Sequence, residues 1–273
     1  MKFHWMIRGE KSDITSLSSF STEIDSFGYD SMLLTYHSTL PDNLIKSARV
    51  LSENEKIKYM IAIRTYAISP EYMSMICKSF NEISKNRLML NIVSGDIHAD
   101  ENPIKDLVMI ENIVDTPEKR LDYTDNWMDK FLKIKNFNNK PEIVMSGHSD
   151  ITRLMAIKYN ATHLSMYDMY KNYINTENPI INSKQMISLC FVVRETQEEA
   201  DNFFESLDRG KKLWTICGNK EKIKDFVYKL ASEGITDILI SGSPDDNKKI
   251  LLHNMVKEMI EEQNKIKQGK EIK

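Results

Sequence analysis

The residues best suited to chemistry directly follow apolar runs of the sequence. Ser146-Gly147-His148-Ser149 comes after the run at 142–145 and before a helical pattern. Small hydroxyl residues and a glycine at a helix N-terminus can present amides and hydroxyls to an anion, and the helix dipole favours negative charge there. The same residues also fit a simple cap by Ser149 or Asp150. The sequence alone favours the cap and leaves anion binding open.

Three histidines, His37, His98 and His148, follow predicted strands. None is paired at i, i+4 or belongs to a motif such as HExxH, so we expect no metal site. One of the three could donate a proton or contact a substrate, because histidine titrates near neutral pH. His4 and His163 fall inside predicted strands and are expected to be hydrogen-bonded structural residues. The sequence contains no GxSxG, Walker or CxxC motif, so it gives no support for hydrolysis by a nucleophile or of a nucleotide.

Eight strand-like segments alternate with helical patterns and would position these residues. They lie at 3–7, 31–36, 59–64, 88–93, 142–145, 163–166, 186–193 and 238–240. Helix starts are indicated at Asp42, Ser69-Pro70, Thr116-Pro117 and Thr196, and helix ends at Gly28 and Gly234. A dinucleotide-binding glycine fingerprint does not follow the first strand. The sequence therefore predicts an α/β fold, a single (β/α)8 TIM barrel of one domain over 1–273, with a charged tail from about residue 262.

Composition excludes several classes of protein. A formal net charge of -3, from 37 basic and 40 acidic residues, argues against nucleic-acid binding. Three cysteines far apart in sequence predict no disulfide framework, and Cys190 is expected to pack in its strand. No signal peptide or apolar run of about 20 residues is evident, so we expect a cytoplasmic protein that does not enter a membrane.

An ordered set of short motifs resembles a known family. The motifs are the run at 28–34, Ile61-Ala62-Ile63-Arg64 with Ile68-Ser69-Pro70, the run at 83–95, the loop at 146–150, Val193-Arg194-Glu195-Thr196 with Glu199-Ala200, and Gly234-Ile235 with Ser241-Gly242. They keep their order from about residue 25 to 260 and are similar to segments of the luciferase-like, flavin-dependent monooxygenases, closest to the alkanesulfonate monooxygenases. Members of that family use reduced flavin, delivered by a separate reductase, to activate oxygen. The alkanesulfonate enzymes oxidise the carbon next to sulfur.

The resemblance implies a flavin mononucleotide (FMN) site at the C-terminal mouth of the barrel. Its phosphate would contact Ser146, Gly147, His148 and Ser149, with help from Arg120. Its isoalloxazine ring would lie near Arg64, Thr65 and Ser94. The implied partners are a small-molecule substrate, an NAD(P)H-dependent flavin reductase and a second copy in a homodimer.

Departures from the family pattern leave the catalytic residues unassigned. Leu40 stands where the family has a cysteine, Leu121 replaces a tyrosine, and Ser188-Leu189-Cys190 replaces a stretch with an arginine and a histidine. Only a short segment separates Leu207 from Gly218, where larger members insert a mobile lid. The first alternative is therefore a flavin-binding barrel without monooxygenase turnover. A phosphate-binding barrel lyase and a deazaflavin enzyme also stay open.

Overall fold

Parallel strands form one sheet that closes on itself. The computed structural model describes residues 1–7, 13–36, 41–94, 116–177, 179–182, 184–242 and 248–268. Its strands are β1 Lys2–Ile7, β2 Ser31–Leu34, β3 Lys58–Arg64, β4 Leu88–Val93, β5 Glu142–Ser146, β6 Thr162–Met166, β7 Gln185–Arg194, β8 Thr215–Asn219 and β9 Asp237–Ser241. All pairings are parallel, and the ring runs from β1 through β7 to β9, which returns to β1. The predicted TIM barrel is confirmed.

Helices connect the strands around the outside of the ring. They are α1 Ile14–Ser26, α2 Asn43–Val50, α3 Pro70–Ser84, α4 Pro117–Lys133, α5 Asp150–Lys158, α6 Tyr167–Ile174, α7 Gln197–Ser206, α8 Arg209–Lys212, α9 Lys220–Ser232 and α10 Lys249–Lys267. The four predicted N-caps are confirmed, because each side chain accepts an N–H of its helix's first turn. Gly28 (φ 83°) and Gly234 (φ 88°) adopt the left-handed conformation just past α1 and α9, as predicted for helix ends.

Strand β8 was not predicted, and its position extends the barrel wall. Cys190 of β7 is in register with Thr215 of β8 and also with Ser241 of β9. Lower on β7, Ser188 is in register with Met166 of β6. Because a strand has only two edges, β8 must lie on the edge that β6 occupies lower down. Strand β8 therefore continues the wall above the carboxyl end of β6.

Two apolar layers hold the barrel together. Strand side chains alternate between them, as a period of two requires. The interior holds Leu33, Met60, Met89, Val144 and Met186, whereas the larger cluster between strands and helices includes Trp127 and Phe131. A third cluster, with Cys190, Val192 and Cys217, joins β7 and β8 to α7. Cys190 is fully buried in this cluster, as expected for a packing residue.

Polar side chains close the barrel at its N-terminal face. His4 Nε2 donates to Asp237 Oδ1 (2.9 Å), and His4 Nδ1 lies 2.7 Å from Ser31 Oγ. Lys58 pairs with Glu142 at 2.6 Å. The expected structural role of His4 is confirmed. In the described part of the chain, no helix is long and apolar enough to cross a membrane.

Candidate functional site

The candidate site lies at the C-terminal mouth, where parallel strands of a barrel deliver their following loops. The predicted residues Arg64, Ser94 and Ser146 stand at the ends of the neighbouring strands β3, β4 and β5. Ser94 and Ser146 line one small cavity of about 10 Å³, roughly the space of one water, together with Leu121 and Thr124 of α4. The structure therefore brings these two serines together next to α4.

The loop Ser146–Ser149 is fixed at both ends by its own hydroxyl groups. Ser146 Oγ donates to Asn91 Oδ1 of β4 at 2.6 Å. Ser149 is the N-cap of α5: its Oγ accepts from Thr152 N–H at 3.2 Å and lies 2.9 Å from Thr152 Oγ1. The prediction that Ser149 caps this helix is confirmed.

The N-terminus of α5 keeps backbone donors that the helix does not use. The N–H groups of Thr152 and Arg153 donate to Ser149, the second to its carbonyl at 3.2 Å. Among the described residues, the N–H groups of Asp150 and Ile151 have no assigned acceptor. Both residues are exposed at the rim of the mouth. Their N–H groups, at the positive end of the helix dipole, are able to bind an anion.

Gly147 allows the loop to pass close over the first turn of α5. An added Cβ would lie 2.7 Å from Thr152 Oγ1 and 2.9 Å from Thr152 Cγ2, closer than real Cβ contacts. Beneath it, His163 Nε2 donates to the Gly147 carbonyl at 2.9 Å, and Nδ1 lies 3.2 Å from the side-chain amide of Gln185. The structural role expected of His163 is confirmed. Burial lowers the pKa of His163, so the ring is neutral at pH 7.

His148 and Arg153 form the charged part of the loop. Burial and, next, the charge of Arg153 lower the pKa of His148, while Asp168 opposes them. His148 is therefore neutral at pH 7, and its Nδ1 lies 3.3 Å from Ser165 Oγ. The Arg153 guanidinium is 3% exposed, donates to the His148 carbonyl and stacks 3.4 Å from the ring centroid of Tyr173. Because the His148 carbonyl, the Tyr173 ring and the Asp150 carboxylate (3.5 Å) hold Arg153, it gives the loop a fixed positive charge.

On the other side of the mouth, Arg64 lies over an aromatic ring. Its guanidinium carbon is 5.2 Å from the centroid of Tyr36, and both residues line a groove of about 250 Å³ beside α2. Thr65 is fully buried, and its Oγ1 lies 2.9 Å from Thr124 Oγ1 of α4. The side chain of Thr65 thus packs against α4, away from the mouth. Arg120 is also buried on α4, one residue before Leu121.

Sequence reasoning missed Asn91, Tyr36 and Arg153. Asn91 had a usable signal, since it is the polar residue of an apolar strand and lies on the same face as Met89. Ser241, at the end of β9, is 1% exposed, and its Oγ has no hydrogen-bond partner among the described residues. Such a buried, unpartnered hydroxyl at the mouth suits a bound polar group.

Several predicted positions lie outside the described residues, among them His37, Leu40 and His98. Among the residues that the structure describes, no group of three His, Cys, Asp or Glu side chains is arranged to hold a metal ion.

Comparison with known proteins shows which fold this is. No protein-family model matches the sequence. The chain is similar to EDTA monooxygenase from Chelativorans sp. BNC1, with a TM-score of 0.74 and 10% identity over 96% of this chain and 94% of that one. It is also similar to the oxygenating constituent of 3,6-diketocamphane monooxygenase from Pseudomonas putida in complex with FMN (TM-score 0.69, 14% identity, 94% of this chain and 96% of that one). An F420-dependent secondary alcohol dehydrogenase, in complex with an F420–acetone adduct, follows with a TM-score of 0.66 and 11% identity over 94% of this chain and 97% of that one. At these identities the comparisons establish the fold: the chain has the barrel that these flavin- and deazaflavin-dependent enzymes share.

Proposed function

We propose that this protein is a luciferase-like, flavin-dependent monooxygenase that uses reduced FMN as cosubstrate. The observation that carries the proposal is the α5 N-terminus, where a glycine-based loop leaves two N–H groups open at the mouth of a barrel. A solved structure with the same fold contains FMN. The motifs from about residue 25 to 260 point to the same family.

The α5 N-terminus would bind the phosphate of FMN. The N–H groups of Asp150 and Ile151 supply hydrogen-bond donors, and the fixed charge of Arg153 offsets the Asp150 carboxylate, whose Oδ1 lies 3.5 Å from it. Arg120 of α4 is the second proposed cation. Hydrogen bonds to a charged group contribute about 1.5–3 kcal/mol, so two such donors suffice to favour FMN over riboflavin.

The C-terminal mouth of the barrel would bind the isoalloxazine ring of FMN. One side of the mouth is formed by Arg64, Ser94 and the backbone of Thr65. On the other side, the buried Ser241 hydroxyl has no partner among the described residues. Below them, the Asn91–Ser146 pair and the apolar interior exclude water from the base of the mouth. When bound, reduced FMN would supply the electrons that activate oxygen, and these residues would orient it.

The substrate that we propose is a small alkanesulfonate or related organosulfur compound, with a separate NAD(P)H-dependent reductase as the source of reduced flavin. Support comes from the sequence motifs. The positive charge of the buried Arg64, which lines the groove beside α2, is also compatible with a sulfonate. A homodimer and a cytoplasmic location are part of the same proposal.

The alternative is a barrel that binds flavin without turnover. It is favoured by the replaced stretch Ser188-Leu189-Cys190, where Leu189 and Cys190 are buried, and by the short segment between Leu207 and Gly218. A deazaflavin cofactor is the second alternative, since an F420-dependent enzyme shares the fold.

The deciding experiment is an anaerobic titration with oxidised and reduced FMN, riboflavin and F420, followed by admission of oxygen. We expect reduced FMN to bind at least about tenfold more tightly than reduced riboflavin. With a flavin reductase present, we expect oxygen consumption that depends on an organosulfur substrate. Flavin binding with only substrate-independent peroxide release would favour the alternative. A preference for F420 would move the assignment to a deazaflavin enzyme, and failure of all three compounds to bind in either redox form would refute a flavin site.

A variant pair then tests the phosphate position. Ser149→Ala removes the α5 cap, and we expect it to reduce the preference for FMN over riboflavin. Ser206→Ala removes an exposed hydroxyl at the end of α7 and should leave the preference unchanged. Equal effects of the two substitutions would place the phosphate elsewhere.

A further inference from the structure

A second cavity lies on the face opposite the mouth, where α3 ends and the connection from α4 to β5 passes. Its volume is about 330 Å³, within the range of small-molecule sites. Five asparagines line it: Asn81, Asn86, Asn136, Asn138 and Asn139. We call this cavity the asparagine cleft. It shares no residue with the proposed flavin site.

Asn81 leaves a buried polar atom unused in the cleft. The residue is 8% exposed, and its Nδ2 donates to the Asn139 carbonyl at 2.6 Å. This bond fixes the amide orientation, because two carbonyl oxygens cannot share a hydrogen bond. Asn81 Oδ1 is then buried with no donor among the described residues. Buried acceptors are normally satisfied, so this oxygen needs a donor from water or from a ligand.

The rest of the lining offers hydrogen-bonding groups of both kinds. Asn86 (φ 68°) and Asn136 (φ 58°) hold left-handed turns that place their exposed amides at the rim. Glu82 can only accept and Lys78 can only donate, while each amide does both. Phe137, buried at the base, lies 5.9 Å from the ammonium of Lys78. A hydroxyl group, which both donates and accepts, matches this set.

Charge narrows the class of ligand. Lys78 and Glu82 carry opposite charges in the lining, so the cleft has no excess positive charge to attract an anion, and a phosphate or carboxylate would be repelled by the unpartnered Asn81 Oδ1. An apolar molecule would leave the amides without partners. We propose that the asparagine cleft binds a neutral polyhydroxylated small molecule of monosaccharide size, with one of its hydroxyls donating to Asn81 Oδ1. Binding is expected to be weak, because the rim of the cleft is exposed to water.

The test follows the side-chain amide signals of the full-length protein by ¹H–¹⁵N NMR, while D-glucose, D-ribose and myo-inositol are added separately. We expect at least one of them to shift the signals of Asn81, Asn86, Asn136 and Asn138 in a saturable way, with FMN leaving those signals unchanged. Asn81→Leu should lower the affinity about tenfold, the equivalent of one lost hydrogen bond to a buried acceptor.

Because Asn81 also holds the connection at Asn139, a second variant keeps the test independent of folding. Asn138→Ala leaves the bond between Asn81 and Asn139 intact and should also weaken binding. Asn175→Ala, at the end of α6, removes an amide outside the cleft and should have no effect. The proposal is overturned if none of the three probes shifts the cleft signals, if the shifts do not saturate, or if Asn81→Leu and Asn138→Ala bind as well as the unaltered protein.

Discussion

Replacing Gly147 with alanine tests the packing of the loop that defines the candidate site. The new Cβ would lie 2.7 Å from Thr152 Oγ1 and 2.9 Å from Thr152 Cγ2, and an ordinary contact begins at 3.4 Å. Overpacking of this kind costs about 1–3 kcal/mol. The backbone of Gly147 is not left-handed, so alanine also stabilises by about 0.4–1 kcal/mol through the unfolded chain. The steric cost is the larger effect, and we expect a net loss of about 1–2 kcal/mol.

A double-mutant cycle isolates the cause. Thr152→Ala removes the two atoms nearest to the new Cβ and leaves only Thr152 Cβ, at 3.2 Å, and it loses the hydrogen bond with Ser149 at a cost of about 1 kcal/mol. In the Gly147→Ala background, Thr152→Ala should instead be neutral or stabilising. The coupling between the two changes should therefore be at least about 1 kcal/mol.

The assay is equilibrium unfolding in urea, with unchanged denaturant dependence as the check that compactness is preserved. Gly210→Ala in α8 is the matched control, because its nearest neighbour is the flexible Asp208 carboxylate at 3.3 Å. We expect no loss of stability there. The inference that the loop packs tightly over α5 is wrong if Gly147→Ala is as stable as the original protein. It is also wrong if Thr152→Ala lowers the free energy of unfolding equally in both backgrounds.

Three further predictions concern a buried histidine, a helix cap and the charge beside the loop. Burial lowers the pKa of His253 to about 4 from its ordinary 6.5, so stability is complete above pH 6.5 and is lost as pH falls toward 4. The loss should reach about 3 kcal/mol at 1.36 kcal/mol per pKa unit, and His253→Phe should abolish it in denaturant unfolding measured across this pH window. Ser69→Ala removes the α3 cap, which accepts from Tyr72 N–H at 3.2 Å, and should cost about 1 kcal/mol in the same unfolding assay. Arg153→Met removes a charge that lowers the pKa of His148, so an NMR titration of His148 should show a higher pKa, and an unchanged value would contradict this electrostatic account.

The sequence predicts well those features that depend on neighbouring residues. Asp42, Ser69 and Thr196 cap their helices because a cap needs only its own first turn. The eight barrel strands are covered on both faces, so each is an apolar run that can be recognised from its own sequence. Strand β8 was not predicted because Thr215–Asn219 contains a glycine and pairs only with the outer half of β7.

The site could be predicted only in part, because several of its contacts join residues that are far apart in the sequence. The strand ends place Ser146 and Arg64 at one mouth once a barrel is assumed. The pair of Ser146 with Asn91, however, depends on the register of β5 against β4, and the packing of Thr65 against Thr124 depends on where α4 lies. Arg153 is buried because Tyr173 of the next helix covers it. These contacts join segments that no local pattern connects.

The position of β8 explains how the barrel can have a high wall at its mouth although only a short segment separates Leu207 from Gly218. A mobile lid is one way to cover a site, and it requires a long insertion. Here β7 extends for ten residues, and its outer half gains a hydrogen-bonded neighbour above the end of β6. That neighbour is fixed in turn, because Gly218 lies against α9, where an added Cβ would meet Lys222 at 3.1 Å, and Asn219 N–H donates to Gln197 at 3.3 Å. On this side of the mouth, the height of the wall is therefore set by strand pairing, and changing it would require breaking the β7–β8 ladder.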